Sequence, residues 1–314
     1  MIIKNFTKVD IENKQDISSK FININNNQLN IDCKILKDNF FLDSFNFFPL
    51  TTEGYIFRGA FSWGDNKKYD FYLSKKFAKD FNSKKSEFKN YSNITILGSS
   101  ADDNYYRNII TFLPRVFFIK SKRINIAIHR NSSNRFRILV SEILQKLNIE
   151  VKKYVYLDNE FYKFSESKIP QFFNEALGIQ ILNKLLSSKK EENKNLKIYI
   201  SRQNSIYRNL INESDLVGKL REQGFRIIDT KNMPIIEQIN FFSSARVIIS
   251  PTSSVLSNLI FCKKGTEVIE IAPIYKTKNE NLFRDRYFRI SKVLNLNHNF
   301  LVADSIENNK IDIN

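Results

Sequence analysis

Arginines and hydroxyls stand in this chain where a fold could hold phosphate. Arg202 follows the apolar run Ile198–Ile200 within Ser201-Arg202-Gln203, and Arg208 lies shortly after it. A planar guanidinium can grip a diphosphate bidentately. An ordinary solvated arginine is the plain alternative. A second run, Val247–Ile249, passes into Ser250-Pro251-Thr252-Ser253-Ser254 ahead of Val255, Leu256, Leu259 and Ile260 at helical spacing. Free N–H groups at such a helix start, with the hydroxyls, would form a neutral anion cradle, although every helix needs a cap. Asn258 could bind a sugar or base there, or tie a loop. A third run, Val268–Ile271, carries Glu270. Its carboxylate suits ribose hydroxyls or a buried arginine.

A second group lies upstream. Asp102 and Asp103 follow Gly98-Ser99-Ser100, where either could cap the helix that follows, and His129 ends the apolar run Ile124–Ile128. Asp103, beside Asn104, is the preferred general base over Asp102 and Glu53. His129 is a further catalytic candidate. The only histidines are His129 and His298, so no histidine triad for a metal is available, and no Asp-X-Asp motif occurs.

Short elements must position these groups. The three runs around Ile198, Val247 and Val268 are Ile/Val-rich and too short for buried helices, so they predict buried strands of an α/β sheet. Gly224 predicts the end of a helix begun at Asn212, with Glu213 and Asp215 matching its dipole. Pro234 predicts a helix start with Ile235, Ile236, Ile239 and Phe242 turned inward. Upstream, the pattern predicts strands at Tyr69–Leu73, Ile94–Leu97, Val116–Ile119, Ile124–Ile128 and Val151–Leu157. It predicts a helix over Tyr105–Leu113 that Pro114 stops or kinks, and another, capped by Ser132 or Ser133, running to Leu147. Residues 1–50 predict short strands or an irregular cap. The domain reading is an N-terminal α/β lobe over 1–165, a connecting helix and linker over 166–195, and a C-terminal lobe over 196–314.

The chain has 314 residues, a formal net charge of +16 and 42% hydrophobic residues. That length suggests two lobes with ample core. The charge points to nucleic acid, to an anionic membrane surface, or to solvated faces of a Lys-rich composition. The lysine pairs are scattered, and no recognition motif for nucleic acid appears. Cys33 and Cys262 lie too far apart in the sequence for a disulfide framework or a metal spacing, which suits a reducing cytoplasm. No apolar window approaches a membrane span, and the start lacks a signal-peptide core.

The order of residues resembles glycosyltransferase family 61, which includes capsular polysaccharide biosynthesis proteins. The resemblance rests on Ile200-Ser201-Arg202, Arg208, Asn212-Glu213, Gly224-Phe225, Gln238-Ile239, Ala245, the turn Ser250–Leu256, Asn258-Leu259-Ile260-Phe261 and Val268–Ile271. A weaker echo runs from Asn104-Tyr105-Tyr106-Arg107 to Leu113-Pro114-Arg115. The family's histidines fall on Thr252 and Arg107, and its tryptophan on Asn108.

The resemblance implies two Rossmann-like lobes of GT-B type with a cleft between them. It implies transfer of a sugar from a nucleotide-sugar donor to a hydroxyl of a surface glycan, lipid-linked or free. Inverting, metal-independent chemistry without a separate cofactor is expected, in the cytoplasm or peripherally at the anionic inner membrane face. Donor contacts are expected from Arg202, Arg208, Asn212, Glu213, Gln238, Ser250, Thr252, Ser253, Ser254, Asn258 and Glu270. Asp103, His129 and Arg107 are the catalytic candidates. An inactive relative that binds glycan or a partner, and a basic nucleic-acid-binding protein, are the alternatives.

Overall fold

The computed structural model describes residues 7–9, 15–24, 27–52, 55–57, 70–72, 74–186, 195–205, 210–273, 275–276, 281–282, 285–306 and 310–312. Two compact units emerge, Met1–Gly178 and Ile179–Asn314. The fold is mixed α/β with parallel sheet in each unit.

Among the described residues, the first unit is built on a ten-stranded sheet. Its strands are β1 (Thr7–Val9), β2 (Gln15–Ile24), β3 (Asn27–Asp43), β4 (Phe48–Thr51), β5 (Tyr55–Phe57), β6 (Asn90–Ser92), β7 (Ile94–Ile96), β8 (Arg123–His129), β9 (Glu150–Leu157) and β10 (Phe161–Pro170). β7, β8 and β9 are parallel neighbours, β10 lies parallel beside β7, and β3 runs antiparallel to β10. The short strands expected near the N-terminus are instead the long antiparallel pair β2 and β3. Polar alternation of that kind gives little apolar signal, so strand length is set by pairing.

Helical spacing holds where it is strongest. The helix Asn134–Lys146 buries Phe136, Leu139, Val140, Ile143 and Leu144. Its cap departs from expectation: the Ser133 hydroxyl makes no capping bond, and the Ser133 N–H goes to Asp103 Oδ1 at 2.9 Å. The helix from Tyr105 is not stopped by Pro114. It passes through a π-turn, Asn108–Phe112, into a 3-10 helix, Leu113–Phe118, with Pro114 in that helix's first turn. A proline has no N–H to lose at such a start. Val116–Ile119 is therefore not the expected strand. Residues 70–72, also expected as strand, are helical, and Tyr72 is buried in contact with Phe48.

The second unit follows an open parallel pattern. Its strands are β11 (Leu196–Ile200), β12 (Arg226–Ile228), β13 (Ala245–Pro251), β14 (Glu267–Pro273), the ribbon pair β15 (Tyr275–Lys276) and β16 (Asn281–Leu282), β17 (Asn297–Ile306) and β18 (Lys310–Asp312). The main sheet runs β12-β11-β13-β14-β17-β18, parallel except for the last pair. Strand order therefore reverses between β11 and β13. In doubly wound folds that switch point opens a crevice at the strand carboxyl ends, where ligands bind.

The helix Glu213–Glu222 ends as expected at Gly224, which adopts φ +77°. The Phe225 N–H closes the turn onto Leu220 O at 2.9 Å. The helix Ile235–Ser244 departs from expectation on one face: Ile236 is exposed, whereas Gln238 is buried with Ile235 and Phe242. A 3.6-residue period puts 235, 238 and 242 on one side. Among the described residues, no helix is long and apolar enough to cross a membrane.

Candidate functional site

The two strands flanking the switch point end in the two polar turns singled out by sequence. β11 ends at Ile200, and the Ser201 N–H continues the sheet to Ile228 O at 2.9 Å. The next N–H, of Arg202, leaves the sheet and donates to Glu213 Oε1 at 2.8 Å. The same oxygen accepts the Tyr199 hydroxyl at 3.0 Å. Glu213, the first helical residue after Asn212, is buried, so its carboxylate fastens the strand end to the helix start. Burial, followed by the neighbouring Glu213 charge, raises the Tyr199 hydroxyl far above its ordinary value. Tyr199 thus serves as a neutral donor.

β13 ends one strand away. Thr252 N–H donates to Ile271 O of β14 at 2.9 Å, and Ser253 then takes an extended conformation as cap of the 3-10 helix Ser254–Phe261. Ser250, Thr252 and Ser253 are buried while Ser254 is exposed. The Ser253 hydroxyl has no hydrogen-bond partner among the described residues. Ser250 Oγ donates to Pro251 O at 2.8 Å. A guanidinium-bearing turn beside an open helix start is an arrangement suited to phosphate.

Three other donor candidates sit deeper. Asn258 Nδ2 donates to Gln238 Oε1 at 2.8 Å, and Gln238 Nε2 donates to Met233 O at 2.9 Å and Thr230 O at 3.3 Å. Asn258 and Gln238 are both fully buried, and the network ties two helices to the loop after β12. Glu270 is fully buried in β14, opposite Ser250. His298 Nε2 lies 3.2 Å from its carboxylate without hydrogen-bond alignment, and His298 Nδ1 meets Ser291 Oγ at 2.7 Å. Arg208 and Glu53 lie outside the described residues.

The upstream candidates form a second cluster, at the carboxyl ends of β7 and β8. Ser99 Oγ accepts the His129 N–H at 3.0 Å. Asp103 Oδ1 accepts from Asn108 Nδ2 at 3.0 Å as well as from Ser133 N–H. Asn108 Oδ1 in turn takes the Ser100 N–H at 2.7 Å. Asn104, rather than either aspartate, caps the helix, with its side chain accepting the Arg107 N–H at 3.1 Å. Arg107 pairs at 3.2 Å with Asp102, whose other oxygen accepts the Ser100 hydroxyl.

The electrostatics of this cluster differ by residue. Burial raises the Asp103 carboxyl above its usual range, opposed by its bonds from Ser133. Burial lowers His129, against its bond to Asn159. The His129 Nδ1 accepts the Asn131 N–H at 3.2 Å, which leaves Nε2 protonated towards Asn159 Oδ1 at 2.8 Å.

Beneath the turn lies Arg115, which residue type alone did not single out. Its fully buried guanidinium donates to Pro170 O from Nε at 3.0 Å and from one terminal nitrogen at 2.6 Å, and from the other to Leu97 O. Phe47 and Phe172 cover it at 4.5 and 4.3 Å. The Leu113-Pro114-Arg115 triplet was the available signal. Among the described residues, no group of three or more His, Cys, Asp or Glu side chains gathers as metal ligands would.

The family model described as Glycosyltransferase 61 matches residues 69–269 of the 314. The chain belongs to glycosyltransferase family 61. The match takes in the Ser99–Asp103 turn, the Glu213 clamp, the Ser250–Ser254 turn and the network around Asn258. It stops just short of Glu270. No curated protein matches the sequence.

Proposed function

We propose that the protein transfers a sugar from a nucleotide-sugar donor to a hydroxyl of a surface glycan such as capsule or lipopolysaccharide. The division of labour is of GT-B type, with donor on the second unit and acceptor on the first. The observation that carries this reading is the Arg202 turn, fastened by Glu213 at the switch point beside the Thr252–Ser254 helix start. Arg202, with Arg208, engages the diphosphate. The N–H groups and hydroxyls of Thr252, Ser253 and Ser254 complete the cradle. Asn212 and Ser250 flank it, while Gln238, Asn258 and Glu270 support the base and ribose side.

On the acceptor side, Asp103 takes the proton of the attacking hydroxyl, and its raised carboxyl suits a general base. The hydroxyl oxygen attacks the anomeric carbon as the bond to the diphosphate breaks, so configuration inverts. Arg107 and His129 border this group. The reaction takes place in the cytoplasm, with the basic surface against the anionic membrane face or an anionic glycan.

Thermal denaturation with a panel of nucleoside diphosphates and nucleotide sugars tests this reading. At least one nucleotide should raise the midpoint, and Arg202→Ala should weaken that nucleotide about tenfold or more. A panel without any shift removes the proposal's main support. A second reading, an inactive relative that binds glycan or a partner, is favoured by Thr252 and Arg107 standing where the family pattern carries histidine. Stabilisation without transfer or hydrolysis of any sugar nucleotide would select it.

A further inference from the structure

We propose that the first unit carries an oxyanion site at the amino ends of β7 and β8, taking a phosphate-type group. Two neighbouring cavities of about 240 and 210 Å³ share Thr95, Ser121 and Lys168 in their walls. Lys168 on β10 stands opposite Thr95 on β7, so both side chains lie on one face of the sheet. Lys168 is half-buried and has no ion-pair partner among the described residues. A partly desolvated ammonium gains most from an anion that can accept charge-assisted hydrogen bonds.

The surroundings carry the same sign. Lys152 and Arg123 line the larger cavity and Lys120 the smaller, against Glu166 as the one carboxylate in either wall. Arg123 is already engaged by Glu150 at 2.8 Å, which leaves three lysines to set the local field. The backbone is specialised here too. A register shift between Phe164 and Ser167 places Glu166 at φ +50°, and Ser167 Oγ accepts the Ile94 N–H at 3.1 Å. Bulges of this kind re-aim the residues that follow them.

Size and position narrow the ligand. Both cavities fall below the roughly 300 Å³ at which drug-sized molecules begin to fit, so a small group is held. The excess of cations rejects a metal ion or an amine. The pocket lies at the opposite strand ends from the Ser99–Asp103 turn and His129, so it anchors rather than reacts.

Titration calorimetry of the full chain with sodium phosphate and pyrophosphate, at constant low ionic strength, tests this. Lys168→Gln should weaken binding about tenfold, the loss of one charge-assisted bond, and the more exposed Lys152→Gln about threefold. The exposed Lys76→Gln, on the helix Lys75–Lys84, removes the same charge elsewhere and should change nothing. Arg202→Ala should retain the site. With the lysine variants made in the Arg202→Ala background, which removes the diphosphate contact proposed on the second unit, binding left unweakened by both Lys168→Gln and Lys152→Gln overturns the proposal, as does binding absent altogether. Lys152→Gln keeps the test decisive if Lys168→Gln fails to fold. Co-sedimentation with phosphatidylglycerol/phosphatidylcholine vesicles, against phosphatidylcholine alone, identifies the source. Sedimentation lost in Lys168→Gln assigns a lipid headgroup, and phosphate binding without sedimentation assigns a soluble phosphate.

Discussion

Glu213 Oε1 accepts both the Arg202 N–H at 2.8 Å and the Tyr199 hydroxyl at 3.0 Å. One buried oxygen therefore fixes the direction in which the chain leaves β11. Glu213→Ala strands both donors, with an expected loss of about 2–4 kcal/mol of stability. Glu213→Gln keeps an acceptor and should cost about half as much. Denaturant midpoints of the two variants measure this, and a wild-type midpoint for Glu213→Ala would falsify the clamp.

Arg115 leads to a less intuitive outcome. Its forked guanidinium reaches Pro170 O and Leu97 O together between aromatic faces, and burial pulls its pKa well below the usual value. Lysine keeps the buried charge but cannot reach both carbonyls. Arg115→Lys should therefore lose about 3–5 kcal/mol, more than Arg115→Met, which also removes the cost of burying a charge. Urea unfolding of both proteins decides the order, and equal losses would show that charge burial is unimportant here.

Gly98 precedes the Ser99–Asp103 turn at φ +69°, and an added Cβ would meet Phe47 ring atoms at 2.0 and 2.5 Å. Phe47 is itself wedged against Phe112 and under Arg115, so it has little room to retreat. Gly98→Ala should cost about 2–4 kcal/mol through overpacking and left-handed strain together. Thermal or urea unfolding measures it. Gly218→Ala, within the helix Glu213–Glu222, has a Cβ that would meet nothing within 4 Å and should instead gain about 0.5–1 kcal/mol.

His129 predicts a pH dependence. Burial lowers its pKa in the folded chain below the ordinary imidazole value of 6.5, so the unfolded chain binds the proton more readily. Its contribution to stability is present above that value and falls as pH drops through 6.5 towards the lowered value. The bond from Asn131 N–H to Nδ1 needs that nitrogen unprotonated. The stability difference between wild type and His129→Gln should shrink as pH is lowered from 7.5 to 5 (chosen to span that range). Parallel slopes would remove His129 as the cause.

Much of the second unit is legible in the sequence. Ile198–Ile200, Val247–Ile249 and Val268–Ile271 fall within β11, β13 and β14, because strands buried on both faces need continuous Ile/Val runs. Gly224 ends its helix for a local reason, the φ +77° that glycine adopts without strain. Tertiary structure decided what such local signals leave open. Val116–Ile119 has the composition of a strand, yet most of it continues a helix through Pro114, since so short an apolar run has no period of its own. The partners of the polar groups are equally hidden. Asp103 reads as a cap for the helix beside it but holds Asn108 and the start of a helix at Ser133, while Arg115 closes on Pro170. Hydrogen bonds to buried polar groups are made wherever the fold brings a partner, and sequence spacing does not reveal that distance.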